Sequence, residues 1–376
     1  MSTFARVTGE GPLRVVLVGA GNMGRAWMRV LGESPDVALV GLVDLDLDLA
    51  RRAAAEQGLD VVIGAALGEV AAASSAQAVI DVTVPPAHHA VNTEALFLGL
   101  PVLCEKPIAP TVAETLSLIA AEEVTGQLLM TSQSRRYYPQ LARLKAVTET
   151  LGDIGFVTTE FFKGPHFGGF RDEMEHPLLV DMAIHAFDVA RYLLDADPVS
   201  VDCRTFNPAW SWYRGDAAAS ATFVFAGGTR FTYTGSWCSP GLETSWNGSW
   251  RVSGARGSAT WDGEGEPRVE YADATGSEAS AVPDTRSEIA GALDEFVEAL
   301  RTGATPSGDV HSNVYSLAMV EAAVRSAAEE RTVLLADVLE DAYAKALSDE
   351  SRDDVRASLG AWRSVAARLA PASAAA

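Results

Sequence analysis

The chain has 376 residues and a formal net charge of −21, with 48% hydrophobic and 21% charged residues. This composition is typical of a globular protein long enough for two domains, and the acidity argues against nucleic acid and anionic membrane surfaces as partners. Three scattered cysteines predict neither a disulfide framework nor a metal site, and without a signal peptide or an apolar run of about 18 residues we expect a cytoplasmic protein.

A glycine loop follows the first strand-like run of the chain. The apolar segment 15–18 leads into the loop GAGNMG at 19–24, then a helix-compatible segment, then a second apolar run that ends at Asp44. Strand, glycines, helix, strand and acid in this order form the dinucleotide-binding fingerprint, although an ordinary glycine-rich turn is the alternative. The glycines permit a tight turn and close approach of a pyrophosphate to the helix N-terminus. The predicted cofactor contacts here are Gly19, Gly21, Asn22, Met23, Gly24 and Asp44.

Asp44 predicts which dinucleotide binds. A carboxylate at the end of the second strand accepts hydrogen bonds from ribose hydroxyls and repels a 2′-phosphate. The first basic residue after it is Arg51, so a 2′-phosphate has no obvious partner nearby. We therefore expect NAD rather than NADP as the cofactor.

The pattern of the chain changes near its middle. Up to about residue 130, strand-like runs alternate with helical segments, which predicts an α/β Rossmann domain with a doubly wound parallel sheet over 1–133. Alternating strands with tryptophan-rich turns then predict an α+β domain with a large, mostly antiparallel open sheet over 134–345. Two helices are expected at 286–301 and 312–329, and their packing against the Rossmann domain is left open. Residues 346–376 are interpreted as an extension with a frayed tail.

The stretch DVTVPPAHHAVNTEALFLGLPVLCEKPIAPT at 81–111 resembles the Gfo/Idh/MocA oxidoreductase family, and the resemblance extends from residue 13 to about 333. In that family the lysine of the EKP element lies beside the nicotinamide and contacts the reacting oxygen, and Lys106 matches it. A cation at a strand end also suits the stabilisation of a developing alkoxide, whereas a surface charge is the alternative. The resemblance further implies a cis Lys106–Pro107 bond. It implies cofactor contacts at Thr83, Pro85, His88, Glu105 and Lys106.

A second motif lies on a predicted helix over about 177–194. Asp181 and His185 match the D-x-x-x-H signature of the family and share a helical face with Asp188. The resemblance assigns His185 as the general base, a role that suits imidazole near neutral pH. Asp181 would hold or orient a substrate hydroxyl. The alternative is the polar face of an ordinary amphipathic helix, and for Asp188 a cap or salt bridge is the preferred interpretation.

The segment before this helix departs from common family members. Many have a glycine-rich GGG-x-L sequence where this chain has EHPL at 175–178, so His176 would reshape the pocket. The loop KGPHFGGFR at 163–171 is expected to line the same pocket. The predicted substrate contacts are Lys106, Arg136, Lys163, His166, His176, Asp181 and His185.

These observations predict hydride transfer between NAD and a secondary hydroxyl of a sugar, anhydrosugar, glycoside or inositol. The first alternative is a glycoside hydrolase or lyase that oxidises its substrate transiently with retained NAD, and the second is a non-catalytic sensor of sugar or NAD. Six tryptophans in the second domain could stack on sugar rings, although padding of a broad sheet or of a subunit interface is the preferred interpretation. We expect a homodimer or homotetramer.

Overall fold

The computed structural model describes residues 4–273, 279–282 and 286–369. The described chain divides into two compact units. The first comprises the described parts of Met1–Ser134, Ile289–Val314 and Asp341–Ala376, and the second comprises those of Arg135–Glu288 and Tyr315–Glu340. Ile289–Val314 belongs to the first unit, a packing that the sequence left open. Backbone hydrogen bonds within the first unit account for it, from Val7 N to Leu300 O (3.0 Å) and from Thr131 N to Gly308 O (2.8 Å).

The first unit contains a parallel sheet of six strands in the order β3-β2-β1-β4-β5-β6, which confirms the predicted doubly wound Rossmann sheet. Its central strands are apolar runs because helices cover both faces of such a sheet. The strands and helices are β1 Leu13–Val18, α1 Asn22–Glu33, β2 Val37–Val43, α2 Leu47–Glu56, β3 Val62–Gly64, α3 Leu67–Ser74, β4 Ala78–Asp81, α4 Pro85–Phe97, β5 Val102–Glu105, α5 Val112–Thr125 and β6 Leu129–Ser132.

The second unit contains an eight-stranded sheet in the order β13-β12-β11-β7-β10-β9-β8-β14. All neighbours are antiparallel except β7 and β10, which run parallel, so the prediction of a mostly antiparallel sheet is confirmed. The elements are α6 Pro139–Thr150, β7 Ile154–Phe162, α7 Ile184–Leu194, β8 Pro198–Phe206, β9 Ala218–Phe225, β10 Arg230–Ser236, β11 Ser249–Gly254, β12 Gly257–Trp261, β13 Arg268–Tyr271 and, later in the chain, β14 Val333–Leu334.

Five helices follow β13 in the described chain, and β14 lies between the second and the third of them. Two of them correspond to the predicted pair, and three lie where the sequence analysis placed only a domain end and an extension. The predicted frayed tail falls almost wholly on 370–376, outside the described residues. Every helix in the described ranges is too short or too polar to cross a bilayer. The five helices are α8 Glu288–Thr302, α9 Val310–Glu329, α10 Leu335–Asp349, α11 Asp353–Gly360 and α12 Val365–Leu369.

The segment before α7 is π-helical over Leu178–Ala183. The sequence predicts one continuous α-helix here, and this prediction is wrong for the first half. A π-helix bonds residue i to i+5, so its side chains advance around the axis by a smaller angle than in an α-helix. Asp181 lies in the π-helical half and His185 in the α-helical half, so a uniform α-helical spacing does not describe their relative direction.

Three of the tryptophans belong to the core of the second unit. Trp237, Trp250 and Trp261 are each at most 3% exposed, and the ring of Trp250 stacks on Phe231 at 6.0 Å between centroids. Much of the aromatic density therefore fills the space between the sheet and its helices. Among the other sheet-region tryptophans, Trp210 is 66% exposed.

Candidate active site

The glycine loop after β1 has the shape that a bound dinucleotide requires. Gly19 has φ +107°, and a Cβ there would lie 2.8 Å from the carbonyl oxygen of Val82. A Cβ on Gly24 would collide with the carbonyl oxygen of Gly19, whereas one on Gly21 would meet nothing within 4 Å. Gly21 is also the N-cap of α1 and gives it no side-chain cap. The loop thus leaves open space above N–H groups at a helix N-terminus, which fits a diphosphate.

Asp44 lies beside this loop at the end of β2. Its Oδ2 accepts a hydrogen bond from Ala20 N at 2.7 Å, and its Oδ1 accepts one from Asp46 N at 2.8 Å. Each carboxylate oxygen keeps further acceptor capacity for ribose hydroxyls. Asn22 and Met23 are exposed in the first turn of α1. The predicted dinucleotide contacts of this region therefore lie in one part of the first unit.

Lys106 follows β5 at the carboxyl edge of the parallel sheet, and the Lys106–Pro107 peptide is cis, as predicted. The neighbouring Glu105 accepts a hydrogen bond from Trp27 Nε1 at 2.9 Å. Burial raises the pKa of Glu105, against the opposing effects of the Trp27 hydrogen bond and the Lys106 charge. The lysine thus projects from a turn whose adjoining acid is anchored to α1.

A buried network connects the turns after β4 and β5. Asp81 Oδ1 accepts from Thr83 N at 3.0 Å and from Thr83 Oγ1 at 2.7 Å, and burial raises the pKa of Asp81. His88 is 1% exposed, with Nδ1 2.7 Å from the carbonyl oxygen of Pro107 and Nε2 3.0 Å from that of Thr83. Pro85 opens α4. Both ring nitrogens of His88 are thus engaged by the protein, although the residue is predicted to contact the cofactor.

In the second unit, an arginine binds the Asp181 carboxylate, which is predicted to contact the substrate. Arg171 Nε donates to Asp181 Oδ2 at 2.6 Å, and the side chains are 34% and 14% exposed respectively. The sequence analysis did not single out Arg171, although it lies in the loop 163–171 expected at the pocket. A cation in a loop rich in glycine, close in sequence to the acid of the D-x-x-x-H motif, is the signal that would have found it.

Arg136 forms a buried salt bridge with Asp188 of α7. Its Nε and Nη2 donate to the two carboxylate oxygens of Asp188 at 2.8 and 2.7 Å, and both side chains are at most 8% exposed. Ser316 Oγ donates to Asp188 Oδ1 at 2.7 Å. The salt bridge preferred for Asp188 is therefore present. This pairing gives Arg136 a supporting position under the helix and gives no support to its predicted substrate contact.

The remaining predicted substrate residues are surrounded by aromatic rings. Lys163 Nζ lies 2.8 Å from Glu243 Oε2 and 4.9 Å from the centre of the Trp246 ring. The exposed His166 ring stacks on Trp212 with centroids 3.7 Å apart. Aromatic surfaces of this kind suit the apolar faces of sugar rings. The contact between Lys163 and Glu243 was not predicted, since the two residues lie 80 positions apart in sequence.

His176 and His185 lie at the two ends of the π-helical region. Nδ1 of His176 is buried and has no hydrogen-bond partner among the residues that the structure describes. His185 lines a cavity of about 20 Å³ together with Arg135, Thr159, Tyr233 and Trp246, which is enough room for one water molecule. His185 and Trp246 thus share one cavity wall.

Two family models match the chain. The model described as the oxidoreductase family with an NAD-binding Rossmann fold matches residues 13–133, and that of the GFO/IDH/MocA C-terminal domain matches residues 142–260. The uncharacterized protein y4oX of Sinorhizobium fredii is 27% identical over 83% of this chain and 93% of its own length. Inositol 2-dehydrogenase 1 of Saccharopolyspora erythraea is 32% identical over 50% of this chain and 56% of its own length, so the chain spans little more than half of that relative.

A crystal structure of an oxidoreductase from Agrobacterium radiobacter, in complex with NAD+, L-tartaric acid and magnesium, superimposes with a TM-score of 0.78 at 22% identity. The match covers 87% of this chain and 99% of that one. The Rossmann unit, its glycine loop and the second α/β unit define a dinucleotide-dependent oxidoreductase. The two matching models identify it further, and the chain belongs to the Gfo/Idh/MocA family, with NAD as the cofactor of its Rossmann domain.

Proposed function

We propose that this protein is an NAD-dependent dehydrogenase for a secondary hydroxyl of a polyhydroxylated ring, namely a sugar, anhydrosugar, glycoside or inositol. The observation that carries the proposal is the position of Lys106 at the carboxyl end of β5. The glycine loop and Asp44 follow β1 and β2 at the same edge of the parallel sheet, where α/β proteins of this kind bind ligands. The relatives named inositol 2-dehydrogenases support a ring polyol as substrate.

Each proposed catalytic residue has one role. The Lys106 ammonium donates to the carbinol oxygen and stabilises its negative charge as the hydroxyl proton leaves. His185 accepts that proton as the general base, and Asp181 accepts a hydrogen bond from a neighbouring hydroxyl and orients the ring. Bound NAD supplies the acceptor for the hydride. Lys163, His166 and His176 select the substrate through its remaining hydroxyls and ring faces.

A screen of NAD reduction over monosaccharides, anhydrosugars, glycosides and inositols tests this proposal. We expect at least one ring polyol to reduce added NAD. Turnover of a glycoside without added NAD would instead indicate transient oxidation with retained cofactor, and binding without turnover of any substrate would indicate a sensor. Both results would overturn the proposed dehydrogenase.

Lys106→Ala provides a second test. We expect it to lose turnover while the melting temperature stays near that of the wild type, because the half-buried Lys106 follows a strand end outside the apolar core. Lys145→Ala is the matched control, since Lys145 forms a 3.6 Å pair with Glu149 along α6. Equal kinetics in the two variants would contradict the role of Lys106.

We also propose that the protein assembles as a homodimer or homotetramer through its large sheet. Because several tryptophans are buried within the second unit, the number of tryptophans alone is weak support for a subunit interface. Apolar side chains nevertheless remain exposed on the strands of that sheet, which supports a face covered by another subunit. These side chains are Phe156, Val199, Phe206, Val269 and Leu334. Light scattering at micromolar concentration tests the proposal, and a monomer would refute it.

A further inference from the structure

His88 occupies a position between two backbone carbonyl groups. It projects from α4 and is 1% exposed. Its Nδ1 lies 2.7 Å from the oxygen of Pro107, and its Nε2 lies 3.0 Å from the oxygen of Thr83. Carbonyl oxygens only accept hydrogen bonds, so both contacts are hydrogen bonds only when both ring nitrogens carry a hydrogen. A neutral ring would direct one nitrogen lone pair at a carbonyl oxygen, and a buried contact of that kind is costly.

The surroundings of His88 can hold the positive charge that this arrangement requires. Asp81 is fully buried. A carboxylate oxygen of Asp81, a ring nitrogen of His88 and the Sγ atom of Cys104 all lie within 4.8 Å of one another. Burial raises the pKa of Asp81, and a positive charge on His88 would oppose that shift. A buried charge is tolerated when it is hydrogen-bonded and has an opposite charge nearby. The two carbonyl groups meet the first condition for His88, and an ionised Asp81 within 4.8 Å would meet the second.

The two carbonyl groups belong to different turns of the Rossmann unit. Thr83 follows β4 and is itself fixed by two hydrogen bonds to Asp81, whereas Pro107 directly follows Lys106. A single ring therefore connects the end of β4 to the turn that carries the proposed catalytic lysine. A displacement of that turn by about 1 Å would be enough to reduce turnover strongly.

We propose that His88 is a positioning residue, an imidazolium close to Asp81 whose two ring nitrogens connect the turn after β4 to the Lys106–Pro107 turn and thereby fix Lys106. This assignment rests on the proposed dehydrogenase function and replaces the cofactor contact implied for His88 by the family resemblance. Both ring nitrogens are used within the protein, so the contribution of His88 to NAD binding is indirect.

The protonation state is tested on the wild-type protein without any turnover. In protein labelled with ¹⁵N-histidine, the resonances of His88 are assigned by comparison with His88→Gln, since the chain has six histidines. We expect both ring nitrogens of His88 to carry a bonded hydrogen at neutral pH. A nitrogen without hydrogen would overturn the proposal. This result is independent of the dehydrogenase activity, which stands or falls by the polyol screen.

The positioning role is tested with His88→Gln against the matched control His89→Gln. His89 is the next residue of α4, and its Nε2 lies 3.2 Å from Ser117 Oγ. At a temperature well below the melting point of each variant, we expect His88→Gln to reduce kcat by about 10- to 100-fold. Its dissociation constant for NAD should change by less than about 3-fold, that is, by less than about 0.7 kcal/mol. His89→Gln should resemble the wild type in both measurements.

Two outcomes would overturn the positioning role. A large rise in the NAD dissociation constant with unchanged kcat would make His88 a cofactor ligand. A lower melting temperature with unchanged kcat and unchanged NAD binding would make the ring only a part of the fold.

Discussion

Arg171 Nε lies 2.6 Å from Asp181 Oδ2, so the carboxylate proposed to orient the substrate is itself oriented by a charged neighbour. We predict that Arg171→Gln raises KM for the polyol by about 10-fold, the usual effect of losing one charge-assisted hydrogen bond, and leaves NAD affinity unchanged. Steady-state kinetics with the best substrate of the screen would measure this. The control is Arg214→Gln, because Arg214 is 72% exposed and lies 3.9 Å from Glu173. If both variants match the wild type, the Arg171 pair is only structural.

His185→Ala should reduce turnover by about 10²- to 10⁴-fold, because general acid–base catalysis contributes that much. NAD binding should persist, since the glycine loop and Asp44 belong to the first unit and His185 to the second. Fluorescence titration with NADH alongside the kinetics would separate the two effects. Near-full activity at neutral pH would show that His185 is part of an ordinary polar helix face.

Asp44→Ala should narrow the preference for NAD over NADP. The carboxylate repels a 2′-phosphate, and its loss removes that repulsion. Because Asp44 also accepts from Ala20 N at 2.7 Å, the variant should lose some NAD affinity as well. The ratio of kcat/KM values with the two cofactors is the measurement. Equal or better activity of the wild type with NADP would contradict the assignment.

We predict that the thermal stability of the protein depends on pH through the protonation of His311. Its Nδ1 lies 3.2 Å from Glu122 Oε2 and 3.3 Å from Asp309 Oδ1. Burial lowers the pKa of His311, but hydrogen bonds to Asp309 and Glu123 and the nearby negative charges outweigh it and raise the value to about 10. Because the pKa of His311 is higher in the folded state than in the unfolded state, protonation of His311 stabilises the folded state. This stabilisation is complete below the ordinary pKa of about 6.5 and is lost as the pH rises through about 10.

His311→Gln should therefore melt about 2–4 °C below the wild type at pH 6, and the difference should shrink as the pH approaches 10. Thermal unfolding measured across this range provides the comparison. His166→Gln serves as the control, because His166 is exposed and stacks on Trp212. A difference that stays constant with pH would refute the charged state of His311.

Lys163→Gln should change the order of preference among ring polyols without changing NAD affinity. Lys163 forms an ion pair with Glu243 and lies over the Trp246 ring. The substitution therefore changes both the charge and the aromatic surface at the proposed specificity site. The measurement is kcat/KM across the substrates of the screen. An unchanged order of substrates would remove this loop from the proposed specificity site.

The sequence predicts the Rossmann sheet well because its signals are local. Each apolar run of β1, β2, β4 and β5, and the glycine loop after β1, is a signal contained within a few consecutive residues. The neighbours Glu243 and Tyr233 could not be assigned in advance, because each depends on a contact made through the tertiary fold. The π-helical segment Leu178–Ala183 was missed because residue composition does not distinguish one extra residue per turn from a regular α-helix.

This widened turn has a consequence for how relatives are aligned. Four α-helical steps would turn the chain by about 400° between Asp181 and His185, whereas the wider π-helical winding of Leu178–Ala183 turns it by less. The same D-x-x-x-H letters can therefore present the acid in different directions, according to the local winding. An ungapped alignment across this segment matches residue types without showing that their side chains point in the same direction. The role of Asp181 can therefore be transferred between family members only when the backbone of each is known.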